Sequence, residues 1–462
     1  YLGIEYYNSG IYTLAAALLE TAYKNDPGNL DICLYLGASY LWLDRINEGV
    51  ELISLVRKKD AYKNAEAAKI YAAKGDNACI SGELALAEKM FREAMQAAPD
   101  DLLFTLKFAE VSERLGNYES ALTAYQLVIT QVKEAFSASA SMDSLLLQHY
   151  GSDRCAETWQ QIHKDRPDLP LPMIYLGKSC EAAGNHDAAG VLYERALRQM
   201  PALMFAAEKL DRFLLQHRDA ETRLQEWAVL HGNYPDSGVV CLFYGMSLRG
   251  AGRMDEALAS FGELAGSHVG FKDDAQLQIA VTEVMRNKDA AGVNKIAAWA
   301  DLHPQRKSEA ASLCSEAGRY FMGLKEYENA VLLFGMACEW SPDDMWPCVA
   351  KGEALAAAGK HEQAIQVYKD VLSKAPESPY TAFNLDTLFI ETNERITFWR
   401  ELHEMHPEAA IPLMYLGKAQ EAAGEHTDAL LAYQEALEID PSLDDARNGI
   451  VRLQAAAAAE GE

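Results

Sequence analysis

Long apolar runs are missing from this chain of 462 residues. No stretch approaches the ~18–20 consecutive apolar residues that a membrane-spanning helix needs, which argues against membrane insertion. Basic residues are scarce: 42 Lys and Arg stand against 68 Asp and Glu, a formal net charge of −26. Nucleic acid and anionic membranes select basic patches, so neither is an expected partner. Basic protein partners stay open, and the plainest consequence of the charge is solubility. The eight cysteines are scattered, with no C-x-x-C and no His–Cys spacing suited to zinc. Most lie among apolar residues of helical segments (Cys33, Cys180, Cys241, Cys314, Cys348), where the thiol acts as a small hydrophobe. Reduced thiols in a cytoplasm are the expectation. N-x-S/T is absent, and so is a secretory leader, although the chain opens at Tyr1 without Met and a leader could have been removed.

Hydrophobic residues nevertheless make up 49% of the chain, enough to bury a core. Four short stretches share one pattern: WQQIH at 159–163, WAVLH at 227–231, WADLH at 299–303 and WRELH at 399–403. The likeness around the first and last runs further. Residues 159–201 and 399–441 are identical at eighteen of 43 positions without a gap. The repeating unit is shorter than that window, because Pro167, Pro201 and Pro235 fall 34 residues apart, as do Pro342 and Pro376. One unit carries Tyr175-Leu176-Gly177, Gly184, Ala189, Tyr193 and Ala196; another carries Tyr415-Leu416-Gly417, Gly424, Ala429, Tyr433 and Ala436.

That spacing describes a helical hairpin. Apolar residues recur every three to four positions, a Gly near the midpoint ends the first helix, and the Pro ends the second. Gly177 and Ala189 are expected where the two helices cross, with Tyr193 filling the gap to the next hairpin. The pattern resembles the tetratricopeptide repeat family, whose unit is a 34-residue helix–turn–helix. The resemblance implies an all-α, right-handed superhelical solenoid of antiparallel helix pairs. Phasing from the prolines gives thirteen units, starting near residues 1, 30, 68, 102, 136, 170, 204, 238, 276, 311, 345, 379 and 410. The first unit begins mid-helix and reads as truncated. Extra residues precede the units at 68 and 276, and the unit at 379 is about three short. These departures should change the superhelical pitch locally. They suggest subarrays at 1–275 and 276–443, followed by a cap helix and a flexible tail at 444–462.

In register, Trp159, Trp227 and Trp399 take the aromatic slot of the second helix, and the His one turn later takes the slot of Leu197, Leu372 and Leu437. Histidines in separate hairpins cannot share one metal, whose ligands must lie about 2 Å from it. No carboxylate or Cys is read in register beside them. They are expected to be half-buried packing residues, with no metal, no cofactor and no catalytic residue in the chain. Gly177-Lys178-Ser179 resembles the end of a phosphate loop, but Pro172 stands where the loop needs Gly and the setting is helical. His403 and His406 lack the i,i+4 spacing of a zinc-protease helix.

The resemblance also implies that the first helices line a concave groove that binds peptide. On that face the early units place Ile4, Tyr7, Leu34, Ala38, Leu41 and Trp42, of which Tyr7, Leu41 and Trp42 are candidate anchors. A missing hairpin that covers them is the competing explanation. The middle units place Lys178, Arg212, Arg249 and Arg319 there, a basic stripe suited to an acidic peptide, or else charges neutralised by Glu181, Glu208 and Asp211. A chaperone-type carboxylate clamp does not fit, because its Lys and Asn slots hold Leu34, Tyr35 and Ala38. The expected function is a non-catalytic scaffold for protein or peptide partners, with self-association open. The alternative is the regulatory or substrate-presenting region of a larger enzyme or sensor.

Overall fold

The computed structural model describes residues 1–288, 292–389 and 392–460. Among the described residues there are twenty-seven α-helices and no strand. The helices pair as thirteen successive hairpins, followed by a last helix at Asp444–Glu460. That helix runs on through the alanines; residues 461–462 of the expected tail lie outside the described residues. No helix of the described residues is long and apolar enough to cross a membrane.

Two glycine roles make the hairpin. Gly184 and Gly424 turn the chain between helices at φ 77° and 78°, a left-handed backbone that side chains resist. Gly177 and Gly417 allow the close crossing. A Cβ on Gly177 would sit 2.6 Å from the Tyr193 ring, and one on Gly417 would sit 2.8 Å from that of Tyr433. The aromatic therefore packs over the glycine of its own hairpin. Its hydroxyl reaches one turn further: Tyr193 donates to Glu181 at 2.8 Å and Tyr433 to Glu421 at 2.7 Å.

The extra residues near 68 and 276 are absorbed by one device. A 3-10 turn at Ala61–Lys63 leads into a 17-residue helix, Asn64–Ile80, and one at Val269–Phe271 leads into Lys272–Asn287. A third instance, Pro304–Arg306 before Lys307–Gly323, is not visible in the spacing of prolines. The short unit at 379 has a first helix of ten residues, Pro379–Leu388, and residues 390–391 after it lie outside the described residues.

Packing divides the chain into two compact units. One holds Tyr1–Glu226 with Gly232–Val240, the other Trp227–His231 with Cys241–Glu462. The expectation of wholly reduced cysteines is corrected at one place. Cys338 and Cys348 form a disulfide, Cα atoms 5.0 Å apart, across the link between helices Tyr327–Trp340 and Trp346–Ala357. The other six are free thiols.

Candidate functional site

The WxxxH segments are structural. Trp159, Trp227 and Trp399 are fully buried, and each stacks on an aromatic of the following first helix: Tyr175 at 4.7 Å, Phe243 at 5.0 Å and Tyr415 at 4.9 Å. Two of these tryptophans, rather than the histidines, have a carboxylate partner. Trp159 Nε1 donates to Asp143 at 2.9 Å and Trp399 Nε1 to Asp386 at 3.0 Å. These acids lie on the first helix of the same hairpin, where a carboxylate supplies the acceptor a buried indole needs. Asp143 precedes Trp159 by sixteen residues and Asp386 precedes Trp399 by thirteen, three fewer in the shortened unit, whereas the Trp299 indole donates to the Asp273 backbone carbonyl at 3.0 Å. The signal was present one helix upstream of the motif.

The histidines of these segments lie among packed side chains. Burial, and then the nearby Arg195 charge, hold the His163 imidazole below its ordinary pKa. His231 stacks on Tyr244 at 4.5 Å, and His303 tilts against Trp299 at 4.4 Å. Among the described residues no group of three or more His, Cys, Asp or Glu is placed to hold a metal ion.

The early apolar residues are largely core. Leu34, Ala38 and Leu41 are fully buried, which corrects their expected place on an open face. The reason is the packing of their hairpin: Leu41 lies against Gly49 of the second helix, where a Cβ would meet it at 2.7 Å. Tyr7 and Trp42 are half-buried and satisfied by neighbours. Tyr7 meets Tyr35 edge-on at 5.2 Å, and Trp42 stacks on Tyr12 at 5.0 Å. Burial pushes the Tyr7 phenol up.

Lys178 and Arg212 belong to the first compact unit, Arg249 and Arg319 to the second. Lys178 pairs with Asp143 at 2.7 Å and lies over the Tyr175 ring at 4.7 Å. Arg212 is exposed. Lys209, missed in the sequence, joins them: its ammonium is held below the usual lysine range by burial first, then by the Arg212 and Lys178 charges. Arg249 is buried, another correction. It lies three positions beyond the slot that Lys178, Arg212 and Arg319 share, in the slot of Glu181 and Glu421. Its hairpin has Phe261 where those of Glu181 and Glu421 have Tyr193 and Tyr433, so their Tyr–Glu hydrogen bond is replaced by Arg249 over the Phe261 ring at 5.9 Å. The guanidinium then reaches forward to Gln278, to Thr282 at 3.4 Å and to Glu316 at 3.1 Å.

Arg319 stands on the wall of a cleft of about 490 Å³ in the second unit. Helix Lys307–Gly323 supplies Ser308, Ser312, Ser315 and Arg319; helix Trp346–Ala357 supplies Trp346 and Glu353; helix Pro379–Leu388 supplies Tyr380. All three are first helices of successive hairpins. Trp346 is 68% exposed and Tyr380 48%, with ring centroids 6.0 Å apart. Glu353 accepts from the Tyr380 hydroxyl, and Asp344 accepts the Trp346 backbone N–H at 3.0 Å.

Tetratricopeptide repeat models match residues 9–73, 350–378 and 399–444. No curated protein sequence matches the chain. Among solved structures, yeast Tom70 is similar at 11% identity and TM-score 0.32, over 93% of this chain and 96% of that one. The Cut9–Hcn1 hetero-tetramer of the APC/C is similar at 12% identity and TM-score 0.30, over 98% and 95%.

Proposed function

Because the chain belongs to the tetratricopeptide repeat family, we propose that it is a non-catalytic scaffold binding protein partners on the exposed faces of its first helices. The observation that carries this reading is the cleft shared by three successive first helices, with two large aromatics open to solvent at its edge. Exposed aromatics on a formed cleft are the usual anchors of a protein interface. In the first unit, Lys178, Lys209 and Arg212 offer a second contact, suited to an acidic segment. A cytoplasmic setting goes with this reading; the six free thiols favour it and the Cys338–Cys348 disulfide does not.

Site-specific photo-cross-linking tests it. Cross-linkers at Arg212 and Trp346 should capture a partner. Those at Val191, Val229 and Leu431, exposed residues of second helices, should capture little. Capture confined to the second-helix positions would refute the reading.

A further inference from the structure

The next inference rests on the first-helix reading above and names what the cleft of the second unit takes. The residue after the crossing glycine is a cation in several hairpins: Lys178 after Gly177, Arg319 after Gly318 and Lys418 after Gly417. After Gly352 it is Glu353, a reversal of charge in the same slot. Lys178 and Lys418 lie over the tyrosine one turn back on their own helices, at 4.7 and 4.5 Å. Elsewhere Arg45 covers Tyr40 at 3.6 Å and Arg306 covers Trp299 at 5.2 Å. Trp346 and Tyr380, by contrast, have no cation of this chain over their rings among the described residues. They are exposed, adjacent and bordered by Glu353 and Asp344, neither of which has an ion-pair partner among the described residues. An aromatic pair beside carboxylates attracts a cation through ring quadrupole and charge together. The net charge of −26 adds to that field.

We propose that this cleft binds a peptide segment through a lysine or arginine side chain laid over Trp346 and Tyr380 and paired with Glu353. Arg319, on the neighbouring helix, disfavours a second cation along the same cleft and so fixes which residue of the peptide enters. The serines of helix Lys307–Gly323 are hydroxyl partners for the peptide backbone.

Selection of displayed short random peptides on the full chain tests the proposal, each binder being re-measured on Trp346→Ala, on Glu353→Gln and on the pair Lys209→Glu/Arg212→Glu. Trp346 is exposed, and Gln can keep the Tyr380 hydroxyl contact, so these variants should fold as the parent does. Binders that need Trp346 should carry a Lys or Arg, and should weaken about tenfold on Trp346→Ala and on Glu353→Gln. Trp346-dependent binders that are acidic or uncharged would overturn the proposal while leaving the first-helix reading standing. So would a set of binders lost only on Lys209→Glu/Arg212→Glu. Binders indifferent to all these variants would overturn both.

Discussion

Two hairpins of this molecule solve one problem in different ways. Both bury a tryptophan whose indole donates to an aspartate of the preceding helix, Trp159 to Asp143 and Trp399 to Asp386. A buried carboxylate must then be compensated, or its desolvation outweighs the bond it makes. Asp143 takes Lys178 from the following hairpin at 2.7 Å, together with the Cys155 thiol at 3.4 Å. Burial and the neighbouring Asp143 charge push that thiol up to about 12. Asp386 takes Arg395 from its own hairpin, in two bonds of 2.6 Å. Arg395 stands four residues before Trp399, in the slot of Cys155. Arg223 fills that slot in a third hairpin and pairs with Asp211 at 2.8 Å, each side chain 6% exposed. Neutralisation can thus be internal to a hairpin or borrowed across the junction to the next. Where it is borrowed, two repeats are tied together; where it is internal, the hairpin is self-sufficient.

The comparison can be broken most severely at the tryptophans. Trp159→Ala and Trp399→Ala should each cost about 3–5 kcal/mol, as buried aromatic truncations do. Hydrogen exchange should show lost protection in the mutated hairpin and its neighbours only, because repeats stabilise one another locally. Loss spread evenly over the chain would contradict that.

The aspartates should separate the two hairpins. Asp386→Ala leaves an indole and the Arg395 guanidinium, 20% exposed, without their partner, and should cost about 3 kcal/mol or more. Asp143→Ala leaves the Trp159 indole unpaired, but Lys178 is 37% exposed and can turn to water, so about 1–3 kcal/mol is expected. Chemical denaturation of the two variants gives the order directly. Equal costs would mean that the origin of the cation does not matter.

At the glycines the hairpins should agree. Gly177→Ala and Gly417→Ala both force a Cβ into a tyrosine ring, and each should lose about 1–3 kcal/mol by overpacking.

The smallest effect is on pH. The folded-state pKa of His163 is depressed, so the unfolded chain binds the extra proton first as pH falls. Stability from this site is complete above the unfolded value of about 6.5 and declines below it. His163→Leu should flatten that decline in the hairpin's exchange protection between about pH 7 and 5. An unchanged slope would assign the pH dependence to other groups.

Much of the fold was legible because a hairpin is a local object. Gly184, Gly424 and the spaced prolines mark where helices stop, and Tyr193 and Tyr433 mark the packed face. Partnership between helices was harder to read. Asp143 lies one helix upstream of Trp159, outside any window that follows the WxxxH motif. Arg249 was misplaced because a long side chain three positions from an exposed slot still swings into the adjacent crossing. Leu41 was misplaced because apolar character on a first helix does not separate an open face from a tight one. Cys338 and Cys348 escaped notice because their pairing is set by the link between hairpins, not by a motif.

Arg249 carries a mechanical consequence. An array of repeats pulled from its ends should peel one hairpin at a time, each yielding on its own. The Arg249 guanidinium bonds to Gln278, Thr282 and Glu316, so it ties helix Gly238–Gly250 to Lys272–Asn287 and Lys307–Gly323 at once. Under load those helices share one fastening. The extension trace of this stretch should show a single large step where its neighbours give several small ones, and Arg249→Met should split that step.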